Sequence, residues 1–211
     1  MQRTCIGPQT QRGVVLVMVM VLALLAAILV VGGARTAWFS ERLTGTEADY
    51  RRAFANAQAM LRDAEFAVHG EFAAPASPDG PSIPRQGSAD YARLRARLAA
   101  SQPPCADGIC LPDALPPSFW KLPVDELAPI KQSAARFALY SRAAVPADNP
   151  LLATRCWFWI EVLPFLGPFG TPQAPDADNP YVFRITALAE GHRPGTQVVL
   201  QRLFVWKRAD S

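Results

Sequence analysis

The chain has 211 residues, of which 50% are hydrophobic, and its formal net charge at pH 7 is +3. This length accommodates one anchoring helix and one modest globular domain. The nearly balanced charge argues against a nucleic-acid-binding surface. No Ser/His/Asp, paired-carboxylate or phosphate-loop pattern occurs, so we expect no enzyme activity, no cofactor and no small-molecule substrate.

A leader, Met1–Gly13, precedes an unbroken run of 18 apolar residues, Val14–Val31. As a helix this run rises about 27 Å, which is close to the thickness of the hydrocarbon core of a bilayer. Three interpretations compete: a cleaved secretory signal, a permanent membrane anchor, and a leader that is removed before Val14. Val31–Ala34 resembles a signal cleavage site. The run is nevertheless long for a signal core, and the helical pattern continues beyond it.

Apolar residues recur after this run at spacings of mostly three and four positions. Such spacing predicts one face of a helix, with charged residues on the other face. The predicted helix extends from Val14 to about His69. Its apolar face comprises Leu43, Tyr50, Phe54, Ala57, Leu61, Ala64 and Val68.

Two features modify this long helix. Thr44-Gly45-Thr46 interrupts the apolar pattern, and Thr46 followed by Asp49 resembles a capping box. These residues predict a kink or a restart of the helix. Gly70 and Pro75 predict its end.

Prolines dominate the middle of the chain. The segment Ala73–Gly87 predicts an extended connector. Asp90–Ala100 is amphipathic and predicts a short helix. We expect Ser101–Pro129 to lack regular structure because its prolines are too dense.

Two cysteines lie close together in this proline-rich part. Cys105 and Cys110 enclose four residues that include Asp107-Gly108, a turn signal that brings the thiols together. We therefore expect a disulfide in an oxidising compartment such as the periplasm. A metal site would need further ligands, and the two histidines, His69 and His192, are widely separated. No metal site is expected.

Three runs predict strands: Arg155–Leu163, Tyr181–Ala189 and Gln197–Trp206. The long loop Pro164–Pro180 joins the first two, and Gly191–Gly195 is the expected hairpin loop between the last two. Alternation of apolar and polar residues in the second run predicts an antiparallel sheet with one buried face.

Smaller features accompany these strands. Phe137–Tyr140 predicts a further, weaker strand. Cys156 lies inside an apolar strand, which indicates a buried free thiol. Trp157, Trp159 and Trp206 fit either core aromatics or interface anchors.

The residues around the leader junction, Gln11-Arg12-Gly13-Val14-Val15-Leu16-Val17, resemble those of type IV pilins. In that family, a dedicated prepilin peptidase cuts after the Gly and methylates the new N-terminal amine. The resemblance implies cleavage after Gly13 and N-methylation of Val14. Loss of Arg3 and Arg12 with the leader would lower the formal net charge from +3 to +1.

Further segments resemble the PilX-type minor pilins. They are Ser40–Gly45 and Arg52–Glu65 in the helix, and Phe183–Ala187 and Thr196–Gln201 near the end of the chain. The Cys105–Cys110 pair has a similar counterpart there. The resemblance implies an α+β, pilin-like fold. One long N-terminal helix, with a membrane-inserted first half, would pack on a small antiparallel C-terminal sheet.

The resemblance also implies the organisation and the function. Residues 1–13 are the leader, 14–70 the long helix with 14–31 in the membrane, and 71–211 the periplasmic globular domain. Such a minor pilin primes type IV pilus assembly at the inner membrane and then sits near the pilus tip. The implied partners are the prepilin peptidase, other minor pilins, the major pilin and a PilY-type tip adhesin.

Two positions depart from the family pattern. Many pilins have Glu at the fifth mature position, where its carboxylate meets a neighbour's N-terminal amine, but here the residue is Met18. An unpaired buried carboxylate is costly, so its loss fits a subunit without such a partner. Gln58 stands where PilX relatives often have Glu. The predicted assembly residues are Met18, Leu43, Tyr50, Phe54, Ala57 and Leu61.

Two alternative functions use the same apolar segment. One is a K-type pseudopilin of a type II secretion system, although such proteins usually carry an inserted helical domain for which the residues after Gly70 leave little room. The other is an uncleaved membrane-anchored periplasmic scaffold or binding protein. Removal of the leader would distinguish a pilin from that plain anchor.

Overall fold

The computed structural model describes residues 11–69, 81–84, 87–169, 174–205 and 207. The chain divides into two compact units, Met1–Glu47 and Ala48–Ser211. Predictions that concern residues 1–10, 70–80, 85–86 and Trp206 lie outside the described residues and stay predictions.

Helix α1 extends from Gln11 to His69, and its first part carries the apolar run. The side chains of Val14–Val31 are all exposed in the structure. The helix is long and apolar enough to cross a membrane. The predicted long N-terminal helix is therefore confirmed.

Helix α1 continues through Thr44-Gly45-Thr46. Thr44 Oγ1 donates a hydrogen bond to the carbonyl oxygen of Ser40 at 2.8 Å, and Thr46 Oγ1 donates to that of Arg42 at 2.9 Å. Hydroxyl groups that bond back to the preceding turn belong to a helix interior and do not cap a new helix. The predicted restart at Thr46 is therefore wrong.

Five strands form one sheet in the order β1-β2-β3-β4-β5. Neighbouring strands are antiparallel, except that β2 and β3 are parallel. The three predicted strands correspond to β3, β4 and β5 and are confirmed, whereas the β1–β2 hairpin was not expected. The bounds are Cys105–Ala106, Ile109–Cys110, Cys156–Pro164, Tyr181–Glu190 and Gln197–Phe204.

The shorter helices partly depart from the sequence-based expectation. Helix α2, Gly87–Leu98, confirms the predicted short helix. Helix α3, Val124–Gln132, lies where prolines were expected to prevent regular structure, so that expectation is wrong. Pro129 removes one hydrogen bond inside α3, but the burial of Leu127 and Ile130 stabilises the helix.

The segment Phe137–Tyr140 forms turns, so the weak strand predicted there is wrong. Ala138 has a φ of 66°, in the left-handed region, which is incompatible with an extended strand. The nearest β-bridge joins Ala135 to Phe158 of β3. Helix α4, Leu151–Thr154, follows this region and precedes β3.

The sheet is packed on both faces. Ala53, Ala57 and Met60 of α1 belong to one buried cluster with Phe158 and Ile185 of the sheet. The small alanine side chains allow α1 to approach the large side chains of the strands closely.

The opposite face of the sheet is covered by the segment that contains α3. Leu127 and Ile130 pack with Trp157 and Trp159 of β3. Trp159 is fully buried, and its Nε1–H donates to the carbonyl oxygen of Ile130 at 3.2 Å. Trp157 is 6% exposed. Both tryptophans are therefore core residues rather than interface anchors.

Three polar side chains of α1 are buried together with its alanines. Asp49, Asn56 and Asp63 are exposed by only 4%, 2% and 2%. Their spacing of seven residues places them on one face of the helix. We call these three residues the buried polar triplet, and each of them binds a different point in the loops of the second unit.

Asp49 binds the loop between β4 and β5. Its carboxylate accepts hydrogen bonds from the backbone N–H groups of His192 and Arg193 at 2.9 and 3.0 Å. Burial raises the pKa of Asp49, but these N–H donors, a hydrogen bond from the Thr196 side chain and the charge of His192 together lower the pKa overall. Because its pKa is lowered, ionised Asp49 stabilises the fold at pH values above its unfolded-state pKa. This stabilisation is lost as the pH falls through the lower pKa of the folded state. A Cβ at Gly191 would lie 2.4 Å from a carboxylate oxygen of Asp49, so any other residue there would force the carboxylate to move.

Asn56 and Asp63 both bind the loop between α3 and α4, at two separate points. Asn149 Nδ2 donates to Asn56 Oδ1 at 2.6 Å. Asp63 Oδ2 accepts a hydrogen bond from the backbone N–H of Ala138 at 2.9 Å. Burial raises the pKa of Asp63. Among the described atoms, Asp63 Oδ1 is buried and has no hydrogen-bond partner.

The β1–β2 hairpin is closed by a disulfide between Cys105 and Cys110, with an S–S distance of 2.10 Å. Gly108 in its turn has a φ of 76°, and a Cβ there would lie 2.5 Å from Cβ of Ala135. The hydroxyl of Tyr140 donates to the carbonyl oxygen of Asp107 at 2.7 Å. The hairpin is thus fixed against the rest of the unit. Cys156 is a buried free cysteine, and burial raises the pKa of its thiol to about 12.

The pairing of Asn56 with Asn149 predicts a coupling energy. Asn149→Ala leaves the buried amide of Asn56 without its partner, which should lower the free energy of unfolding by about 1–3 kcal/mol. Because the double variant with Asn56→Ala removes both amides, it should cost less than the sum of the single variants. Urea denaturation of the detergent-solubilised protein measures these values, with the exposed neighbour Asp148→Ala as a neutral control. Strictly additive costs would contradict the pairing.

Candidate assembly surface on helix α1

The predicted assembly residues in the second unit have different environments. Ala57 is fully buried against the sheet. Tyr50 and Phe54 are 49% and 38% exposed, and Leu61 is half-buried. Ala57 thus stabilises the fold, whereas Tyr50 and Phe54 present aromatic surface to the outside.

The apolar face predicted from the sequence is divided: Ala57, Ala64 and Val68 are buried in the cluster with the sheet, whereas Tyr50 and Phe54 stay exposed. The buried face of α1 comprises the buried polar triplet together with the apolar residues Ala53, Ala57, Met60, Ala64, Ala67 and Val68. At 100° per residue, the centre of this face lies roughly 70° around the helix axis from the centre of the predicted apolar face. Small and polar residues face the sheet because the strands supply the large side chains, such as Phe158 and Phe183.

Tyr50, Phe54 and Leu61 form what we call the open apolar stripe. Tyr50 and Phe54 are four positions apart and therefore neighbours on the helix surface. The stripe is rigid because the adjacent face of α1 is packed on the sheet. Aromatic side chains that a rigid helix presents to solvent are typical anchors of protein–protein contacts. A second helix is the simplest element to cover such a stripe.

Phe66 provides an internal comparison for the stripe. It is 41% exposed, nearly the same as Phe54. The two residues are twelve positions apart, which places Phe66 about 120° around the helix axis from Phe54. Phe66 therefore lies outside the open apolar stripe, although it has the same side chain on the same helix.

In the first unit, the predicted residues lie in a fully exposed part of α1. Val14, Met18 and Leu43 are 68%, 67% and 70% exposed. Gly13 belongs to the same helix. Apolar side chains exposed along so many turns need to be covered by lipid or by other subunits, because their contact with water is unfavourable.

A charged pair lies beside a cavity of about 450 Å³ on the face of the sheet opposite α1. Glu161 of β3 and Arg184 of β4 are directly opposite each other. Arg184 Nε and Nη2 donate to the two carboxylate oxygens of Glu161 at 2.7 and 2.6 Å. The hydrogen bonds to Glu161 raise the pKa of Arg184. This pair joins the two strands and neutralises the carboxylate, so we assign it a structural role.

Two further sequence-based expectations concern metal ligands and the buried polar residues of α1. Among the described residues, no group of three His, Cys, Asp or Glu side chains is placed to hold a metal ion. The buried polar triplet is not among the site residues predicted from the sequence. Its signal was present, because Asp49, Asn56 and Asp63 are seven positions apart in a predicted helix.

The C-terminal part of the second unit matches a known protein family. No curated protein and no solved structure matches the chain. Residues 106–205 match the family described as type IV pilus assembly protein PilX, C-terminal part. The match begins in β1 and includes β2 to β5 and α3. The chain therefore carries the C-terminal domain of the PilX family of type IV pilus assembly proteins, and its resemblance to PilX-type pilins is confirmed.

Proposed function

We propose that this protein is a minor pilin that primes type IV pilus assembly at the inner membrane and remains near the pilus tip. The observation that carries this proposal is the surface of α1. Its first part exposes only apolar side chains from Val14 to Val31, and its second part exposes the open apolar stripe beside a PilX-type domain. The exposed apolar surface of such a helix can be covered first by lipid and later by neighbouring helices.

The proposed pathway has two stages. In the first, residues 14–31 anchor the chain in the inner membrane with residues 71–211 in the periplasm, and the prepilin peptidase removes residues 1–13. In the second, α1 leaves the lipid and its apolar surface is covered by other minor pilins and the major pilin. A PilY-type tip adhesin is the expected partner at the free end of the filament.

Leader removal is tested by Gly13→Val. The peptidase is expected to need close approach to the backbone at this position, and a β-branched side chain would obstruct it. The variant should accumulate as an uncut precursor in the membrane, and the number of surface pili should fall. Intact mass of the extracted wild-type protein should show loss of residues 1–13 and gain of one methyl group. An uncut chain that supports normal piliation would identify the uncleaved anchor instead.

The open apolar stripe is tested by Phe54→Ser, with Phe66→Ser as the matched control. Both side chains are partly exposed, by 38% and 41%, so both variants should fold. Because only Phe54 lies in the stripe, Phe54→Ser should reduce pilus number severalfold at unchanged protein level, and Phe66→Ser should not. Electron microscopy of pili on cells, with immunoblots for protein level, measures both. Equal effects of the two variants would show that the stripe is not the assembly contact.

The tip position is tested by labelling and by Met18→Glu. A subunit at the tip has no neighbour above it whose amine could pair with a carboxylate at position 18. A glutamate there should cost up to about 3 kcal/mol for membrane insertion at the helix centre and less near the end. Met18→Glu should therefore not increase the number of pili, and gold-labelled antibody should mark the ends of sheared pili. Even labelling along the filaments would contradict the tip position.

A further inference from the structure

Two arginines and two aromatic residues follow the apolar run in the first unit. Trp38 and Phe39 are 58% and 64% exposed, and Arg35 and Arg42 are also exposed. Arg35, Trp38 and Arg42 follow each other at spacings of three and four, so they share one face of α1. The guanidinium carbon of Arg42 lies 4.1 Å from the centroid of the Trp38 ring. This contact holds the Arg42 side chain along the helix towards Trp38.

The position of this face relative to a bilayer follows from helix geometry and rests on the proposed insertion of residues 14–31. A hydrocarbon core of about 30 Å takes about 20 residues of helix, which places its boundary near Gly33 when counted from Val14. Trp38 then lies about 7 Å beyond the boundary, within the layer of lipid headgroups. Tryptophan is enriched in this layer because its ring is apolar and its N–H is polar.

The guanidinium groups of both arginines can reach the headgroup layer in which Trp38 lies. Side chains of a helix point towards its N-terminus, so Arg42 extends from its own Cα back to the level of the Trp38 ring. Arg35 lies near the hydrocarbon boundary, and its long, flexible side chain can turn away from the hydrocarbon into the headgroup layer. Guanidinium groups bind phosphate through paired, charge-assisted hydrogen bonds. The face thus combines an aromatic surface with positive charge where phospholipid phosphates lie.

We propose that Arg35, Trp38 and Arg42 bind the phosphate group of an anionic phospholipid in the periplasmic leaflet of the inner membrane. The bound lipid fixes the depth at which the subunit stands before assembly. The continuity of this face with the apolar run and the complementary charge of the phosphate favour a lipid over a protein partner. Extraction into a filament then requires release of this headgroup as well as transfer of the apolar run.

The depth of Trp38 is measured by fluorescence quenching in nanodiscs whose lipids carry bromine at acyl carbons 6,7 or 11,12. The difference between the wild type and Trp38→Phe gives the signal of Trp38 alone. Trp38 should be quenched more by the 6,7 than by the 11,12 label. Absence of quenching, or stronger quenching by the deeper label, would overturn the proposal.

A reference variant separates this result from failure of membrane insertion itself. Leu22 lies in the middle of the apolar run, and Leu22→Trp in the Trp38→Phe background should be quenched best by the 11,12 label. If the reference is not quenched, the proposed insertion of residues 14–31 is wrong. If it is quenched and Trp38 is not, the insertion stands and only the headgroup site is wrong.

Lipid selectivity is measured by native mass spectrometry of the protein released from nanodiscs of equal phosphatidylglycerol and phosphatidylcholine content. The wild type should retain phosphatidylglycerol preferentially. Arg35→Gln combined with Arg42→Gln should reduce this preference roughly tenfold, since basic residues near the surface each strengthen binding of anionic lipid. Arg51→Gln combined with Arg52→Gln on the same helix is the matched control and should not change it. Equal retention of both lipids by the wild type, or equal loss in both double variants, would overturn the proposal.

Discussion

The orientation of α1 on the sheet depends on the burial of its polar triplet. Apolar contacts alone are non-directional, so they would permit several rotations of the helix against the strands. Asp49, Asn56 and Asp63 restrict this choice because each side chain is buried and needs its own hydrogen-bond partner in a loop. A rotation of roughly 70° would bury Tyr50 and Phe54 instead, but it would withdraw the triplet from these partners. The same three contacts therefore determine which apolar residues remain outside.

Most of the strands could be predicted because their signal is local. β3, β4 and β5 are rich in β-branched and aromatic residues and are bounded by turn signals, so their limits are recognisable from the sequence. α3 was missed because prolines dominate the composition of its surroundings. What stabilises it is tertiary: Leu127 and Ile130 pack on tryptophans that lie some thirty residues later in the chain.

The candidate surface could be predicted only in part. Spacing alone identified apolar residues of α1, but spacing cannot distinguish a side chain that packs on its own sheet from one that is left for a partner. Ala57 and Phe54 belong to the same predicted face, and the structure buries one and exposes the other. The acceptors of the polar triplet are satisfied in part by backbone N–H groups of remote loops. No pattern within the helix reveals these donors.

The dependence of two loops on one helix has a consequence for the exchange of segments between related subunits. The part of α1 before Ala48 belongs to a separate compact unit. A homologous segment could replace it without altering any contact of the triplet. A junction placed after Asp49 would instead combine the buried face of another helix with loops that fit this one, including Gly191, where a Cβ would lie 2.4 Å from the Asp49 carboxylate. The transferable part of this subunit therefore ends before Asp49, and the remainder of the helix is inherited together with its globular domain.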